Sequence, residues 1–303
     1  MNSAIARLPI PLPPLSNETL DSYLPRLAQR NYLARSGGLF KLRGTELRLA
    51  LHQLTGVSDI GLATALPQVR FSEDRERWPH LNLAVSARAP IRPACRLCAA
   101  TRGTGSDTKV FASHEQVICQ QHRRWVGAGI LKCSADQQFS IAPVGEVSRA
   151  NVRHQHLIKT YGRGSTHQRF HDAVAALMHW HDWPIFARDP RIQQRRNQLR
   201  IQAASSTRDP RDVAAWYPNA VAFTALLLSY DRASEGHTGM QRRETLRSAV
   251  DRFELDVVVG LRPSGATSPF IALLLANDRQ ATTNEHAEVE VADGRRHRCR
   301  LAY

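Results

Sequence analysis

Cys95-Arg96-Leu97-Cys98 and, 20 residues further on, Cys119-Gln120-Gln121-His122-Arg123-Arg124-Trp125 form the stretch that decides the fold. Two donors separated by two residues fit a tight turn that aims both at one point. Two such turns supply four ligands, enough to close a tetrahedron around one ion. Thiolate and imidazole donors suit zinc better than calcium or magnesium. A redox CxxC would have no need of Cys119 and His122 at matching spacing. Between the turns, Val110-Phe111 and Val117-Ile118 read as two short strands flanking a Ser113-His114-Glu115 turn. Two metal turns joined by such a β-hairpin make a zinc ribbon over residues 91–133. His114 is expected at its exposed tip, Trp125 is expected to pack beneath it, and Cys133 is the nearby thiol that could replace His122. Four protein ligands leave no place for a reactive water, so zinc is expected to stabilise the chain and not to catalyse.

Upstream, residues 1–15 form a proline-rich leader, expected to be extended. Residues 16–90 read as a helical region. Asn17 can cap a helix carrying Leu20, Leu24 and Leu27, which Pro25 should kink or shorten. Leu47, Ala50, Leu51 and Leu54 give a second helix, closed by Gly56 in a left-handed conformation. Ser58 can cap a third, with Ile60, Leu62, Ala63 and Leu66. Helix, glycine turn, helix is the outline of a helix-turn-helix.

Downstream, residues 134–275 read as a basic helical C-terminal region and residues 276–303 as a polar, mobile tail. A loop is expected around Gly162 and Gly164, and helices over 168–181, 220–230 and 240–254. The last of these should turn Leu246, Ala249, Val250 and Phe253 inward. His154, His156, His167, His171, His179 and His181 form a loose cluster, and His167 and His171, four apart, could hold a second metal. The apolar stretch 213–230 contains Pro218 and Asn219, and a buried helix fits it better than a membrane span. The start, MNSAIARLPIPLPPL, has no apolar signal core. A cytoplasmic protein with no membrane partner is expected.

The chain of 303 residues carries 41 Lys and Arg against 27 Asp and Glu, a net charge of +14. Only Lys41, Lys109, Lys132 and Lys159 are lysines. Such a balance favours a polyanion, nucleic acid first, because the planar guanidinium forks onto phosphate. Arg123 and Arg124, presented by the second metal turn, are candidate phosphate contacts. So are Arg191, Arg195 and Arg196, which share a helix with Arg200, and the crowded Arg295, Arg296, Arg298 and Arg300. No phosphate-cradling loop, nucleophile elbow, HExxH or ordered acid triad occurs, so neither an enzyme nor a small-molecule substrate is expected.

Several motifs together resemble the TniQ family. Leu8-Pro9-Ile10, with Leu15-x3-Thr19-Leu20-Asp21-Ser22-Tyr23-Leu24-x-Arg26-Leu27-Ala28, is similar to that family's LP…PLPGESLDSWLxRLA start. Leu54-Thr55-Gly56-Val57-Ser58 resembles its LTGLS segment, and Cys95-x2-Cys98 with Cys119-x2-His122 its CPxC…CxxH ribbon. Trp216-Tyr217-Pro218 is similar to a later YP element. Arg96 stands where the family often has proline, and only one ribbon is evident. The resemblance implies a non-catalytic zinc protein that binds duplex DNA and helps select a transposon's target site, together with a transposition ATPase or other transposition proteins. The alternative is a protein–protein adaptor or regulator that docks a nucleoprotein complex without reading DNA itself.

Overall fold

Apolar residues recur at helical spacing through most of the chain, and the structure is mainly helical, with small antiparallel strand pairs. The computed structural model describes residues 7–33, 42, 44–104, 108–130, 137–180, 189–201, 209–237, 239–259 and 270. The readings of Cys133, His181, the tail 276–303 and its arginines lie outside the described residues. The chain divides into two compact units, Met1–Asn151 with Ala204–Ala214, and Val152–Ala203 with Ala215–Tyr303.

The first unit begins with helix α1, Leu20–Arg30. Its cap is Thr19, whose hydroxyl accepts from the Ser22 amide at 3.2 Å. The expected cap, Asn17, takes a left-handed φ of 60° instead. Its carbonyl accepts from the Phe111 amide at 2.8 Å. Pro25 does not end the helix. It sits early enough that only the bond to the Asp21 carbonyl is lost, and the helix runs on to Arg30. Helix α2, Gly44–Thr55, closes at Gly56, whose φ is +69°. A Cβ there would lie 2.2 Å from the Arg7 guanidinium, so glycine is needed for both conformation and close approach. Ser58 then caps α3, Asp59–Ala65, by accepting from the Gly61 amide at 3.2 Å. A short α4, Glu73–Arg77, follows.

Tyr23, Leu24 and Leu27 of α1 pack with Leu47 and Leu51 of α2, Leu62 of α3, and Leu66 and Val69 beyond it. The proline-rich start joins this core. Leu12 is buried within it and its carbonyl accepts from the Tyr23 hydroxyl at 2.8 Å. The Leu8 amide donates to the Leu54 carbonyl at 2.8 Å. Beneath α1, Glu18 is fully buried. It receives Arg26 through two nitrogens at 3.0 and 2.6 Å, the Leu15 amide at 2.8 Å and the Ser22 hydroxyl at 3.2 Å. The carboxylate thus receives four bonds, one from the leader at Leu15 and three from Ser22 and Arg26 of α1, so it ties the leader to α1.

Four strands and helix α5, Arg96–Thr101, frame the cysteines. The strands are β1 Ile91–Pro93, β2 Lys109–Phe111, β3 Ile118–Cys119 and β4 Arg124–Trp125. The expected pairing of Val110-Phe111 with Val117-Ile118 does not occur. β2 pairs antiparallel with β1, Ile91 opposite Phe111, and β3 pairs antiparallel with β4, Ile118 opposite Trp125. Each metal turn therefore interrupts its own strand pair.

Helix α6, Gly145–Tyr161, starts in the first unit, and α7, Arg163–Trp180, lies in the second. The expected loop between them shrinks to Gly162, with a φ of +81°, and Gly164 is already helical. Then come α8 Pro190–Gln198, α9 Pro210–Ser234 and α10 Gly239–Arg252 with a π-turn over Phe253–Val257. Trp180, Phe223, Phe253 and Phe270 form an aromatic core for this unit, with centroids 4.8 to 6.3 Å apart. Ala249, Val250 and Phe253 face inward as expected and Leu246 is half-buried. No helix among the described residues is long and apolar enough to cross a membrane.

Replacing Glu18 with Ala strands the Arg26 guanidinium, which is only 11% exposed. Loss of one partner of a buried pair costs about 3–5 kcal/mol. Denaturant unfolding of the full chain should report a loss of that size, and a change below about 1 kcal/mol would contradict this role for the pair.

Candidate metal centre

A tight turn of backbone can bring two side chains three positions apart to the same point, and both turns do so here. Cys95 stands at the N-cap position of α5, where the Leu97 and Cys98 amides favour its thiolate form. The His122 amide favours the Cys119 thiolate in the same way. Arg123, directly after, adopts a left-handed φ of 46°, which turns the chain from the metal loop back into β4. The four donor atoms of Cys95, Cys98, Cys119 and His122 lie within 4.8 Å of one another. Cys98 Sγ is 3.5 Å from Cys119 Sγ and 3.2 Å from His122 Nδ1. His122 Nδ1 is 3.7 Å from Cys95 Sγ and 3.6 Å from Cys119 Sγ. A tetrahedron with metal–sulfur bonds of about 2.3 Å and a metal–nitrogen bond of about 2.0 Å has edges of roughly 3.5–3.8 Å. The cluster therefore has the size and donor set to hold one metal ion, through Nδ1 of the imidazole.

The thiols' own chemistry argues for a cation among them. An S–H donated by Cys119, helped by the Cys98 and Leu97 amides, pulls the Cys95 thiol down to about 5. That same bond, with burial, pushes Cys119 well above the ordinary thiol range, and burial also pushes Cys98 up. One thiolate forms readily; three will not share this space unless a positive ion offsets them. Arg92 on β1 contributes from outside. Burial pushes its guanidinium down to about 10, while the nearby Glu115 and Cys119 charges pull it back up. Three thiolates around a divalent ion leave one negative charge, and Arg92 is placed to offset it.

Residues with no motif value hold the turns in place. Gln138 is fully buried; its Oε1 accepts from the Arg96 amide at 2.9 Å and its Nε2 donates to the Ala94 carbonyl at 2.8 Å, bracketing Cys95. Asn151 of α6 accepts from Gln120 at 2.9 Å and donates to the Glu115 carbonyl at 2.6 Å, bracketing the second turn. Each strand pair also gains a third neighbour. Residues 17–19 bond along β2, with Glu18 opposite Val110. Phe139 and Ile141 bond along β4, with Ser140 opposite Arg124. Trp125 is fully buried under this module, as expected, and donates from Nε1 to the Ala128 carbonyl at 3.1 Å. Sequence reasoning had no signal for Gln138 or Asn151, because a buried amide is indistinguishable from a surface one until its partners are known.

Other expected positions differ. His114 is not an exposed tip: its side chain is 9% exposed and lies 3.4 Å from the Glu115 carboxylate. Among the described residues the Cys95 cluster is the one group of three or more such side chains close enough to hold a metal, and neither His167 nor His171 belongs to such a group. His154 is fully buried, with Nδ1 2.9 Å from the Tyr217 hydroxyl and its ring 4.5 Å from that of Phe170. Of the candidate phosphate contacts, Arg123 is exposed and Arg124 and Arg196 are half-buried. Arg195 is 3% exposed, its guanidinium bonded to the Ala215 carbonyl and to Asn219, and is withdrawn from any polyanion. Arg191 is held by Asp189 at 3.2 Å and by the Val257 carbonyl at 3.3 Å.

Comparison of the chain with family models, with curated proteins and with solved structures found no match.

Elemental analysis of the purified full chain is expected to find one metal ion per molecule, and Cys98→Ser to lose it with a lowered unfolding midpoint. Retention of the ion by that variant would contradict the ligand assignment. Arg195→Gln is expected to cost the chain on the order of 2 kcal/mol or more in unfolding experiments. Unchanged stability would return Arg195 to the surface.

Proposed function

We propose that the chain is a non-catalytic, zinc-stabilised DNA-binding protein of the TniQ kind, acting in transposon target-site selection by bridging duplex DNA and transposition partners. The observation that carries the reading is the tetrahedral convergence of three thiols and one imidazole from two paired-ligand turns. Zinc is the ion this donor set favours, since it takes four nitrogen and sulfur ligands without a geometric demand of its own. All four positions are filled by the protein, which leaves the ion a scaffold role. The two metal turns with their strand pairs then make a zinc ribbon.

Two further features support the family reading. The N-terminal motif is far in sequence from the cysteine turns but bonds to the strand between them, through the Thr19 amide to the Lys109 carbonyl at 3.0 Å and the Phe111 amide to the Asn17 carbonyl. They are parts of one unit, as two motifs of one family's conserved core would be expected to be. The net charge of +14 then favours a polyanionic partner. Base reading through α2 and α3 is the weaker route to sequence choice. Asp59 opens α3 and ion-pairs with Arg48 at 2.7 Å, placing a carboxylate where a reading helix meets phosphate.

The adaptor reading draws on a different observation. Arg191 and Arg195 are spent on internal bonds, while Leu49 on α2 and Ile60 on α3 are 56% and 38% exposed. A docking face for a nucleoprotein partner would use such side chains. Duplex binding measured across a salt series separates the readings. The DNA reading expects affinity to fall log-linearly as salt rises. Absence of binding at the lowest salt, with partner capture that survives nuclease treatment, would favour the adaptor.

A further inference from the structure

A cleft in the first unit, away from the metal, gathers positive charge without a matching acid. It encloses about 320 Å³ and is lined by Arg70, Phe71, Ser72, Arg75, Ser86 and Arg88, among others. Arg75 and Arg88 are exposed, and no carboxylate among the described residues pairs with either. Asp74, next to Arg75, is turned away: it is 3% exposed and is held by Arg48 and the Phe71 amide, while the exposed Glu73 and Glu76 of the same helix do not line the cleft.

Arg70 is fixed at the cleft wall. Its Nε donates to the Ala63 carbonyl at 3.0 Å and its Nη1 to the Val85 carbonyl at 2.7 Å. Nη2 donates to the Thr64 carbonyl at 3.4 Å. A guanidinium has five N–H groups, so two remain for a ligand, in an orientation already paid for by folding. Burial, and then the charge of Arg75, push Arg70 below its ordinary range, so the two cations repel across the cleft. The Ser86 hydroxyl accepts from the Arg88 amide at 3.1 Å, which leaves its own hydrogen to donate inward. Three guanidiniums and two hydroxyls around a small open space match the needs of one tetrahedral oxyanion.

We infer that this cleft seats a phosphate of a nucleic-acid backbone, held by Arg70, Arg75 and Arg88. The inference rests on the DNA-binding reading and names a contact surface for it. It differs from the basic residues that sequence alone singled out, because Arg70, Arg75 and Arg88 are scattered through 19 residues and meet only when the turn at Ser86 folds back. Backbone phosphate is favoured over a small phosphate compound because the cleft opens to solvent and its apolar lining is limited to Pro67, Phe71 and Ala87, too little to enclose a nucleoside or other ligand body.

The test uses the full chain and three proteins: wild type, the cleft pair Arg75→Gln with Arg88→Gln, and a control pair, Arg30→Gln with Arg232→Gln, at other exposed positions. Arg70 is left intact because its bonds serve the fold. Duplex affinity is measured against salt, and inorganic pyrophosphate is titrated while the arginine Nε–H resonances are followed. The cleft pair is expected to weaken duplex binding on the order of tenfold more than the control and to make the salt slope shallower by about 1. Pyrophosphate is expected to shift the Arg70, Arg75 and Arg88 signals. If wild type binds duplex and the cleft pair behaves as the control does, the cleft inference is overturned while the DNA reading stands. If wild type binds no duplex at low salt but pyrophosphate shifts the three arginines, both nucleic-acid statements are overturned and the cleft is a small-phosphate site. If neither ligand has an effect, both fall together.

Discussion

Three thiols and an imidazole held within 4.8 Å of one another cannot all adopt their ligating forms unless a cation sits among them. That electrostatic constraint organises the first unit. Cys95 loses its proton easily because Cys119 donates to it, and for the same reason Cys119 keeps its own. An ion would remove the conflict and at once join two turns that are 20 residues apart. Around that point the chain brings residues 17–19, both strand pairs, Gln138 and the first turns of α6 into one hydrogen-bonded body. The leucine core of α1 to α3 adjoins this body and shares the N-terminal motif with it.

Arginine serves two purposes in this protein. Some guanidiniums are structural bolts. Arg26 closes on Glu18, Arg48 spans Asp59 and Asp74, and Arg169 grips Asp231 with two bonds at 2.6 and 2.7 Å. Arg195 bonds to the Ala215 carbonyl and to Asn219 inside the second unit's core. A guanidinium suits such work because five donors in one plane satisfy several carbonyls at once. The pairs with Glu18, Asp59, Asp74 and Asp231 are already deducted in the net +14; of the charge that remains, the buried Arg195 is withdrawn from a polyanion's reach.

What could be read from the residues followed physical necessity. Paired donors at two-residue spacing can hardly do anything but converge, so Cys95, Cys98, Cys119 and His122 were legible. So were Gly56 and Ser58, whose roles depend on local backbone alone, and the inward stripe of α10. The strand pairing was not, because Val110-Phe111 and Val117-Ile118 look equally able to pair with each other; their partners are chosen by the metal turns, which bring β1 to β2 and β4 to β3. Thr19 displaced Asn17 as the cap because Asn17 is drawn to the edge of β2. Arg195 looked like a surface cation on a polar helix, and only the approach of Ala215 and Asn219 reveals it as core. Gln138, Asn151 and the Arg70 cleft lie outside any local pattern, since their meaning is set by residues 15 to 44 positions away.

X-ray absorption at the metal edge, on the full chain as purified, tests the central claim most directly. The edge energy identifies the element, and the fine structure gives its first shell. Zinc is expected, with three sulfur neighbours at about 2.3 Å and one nitrogen at about 2.0 Å. A first shell of oxygen and nitrogen without sulfur, or a chain that folds cooperatively while carrying no metal at all, would contradict it.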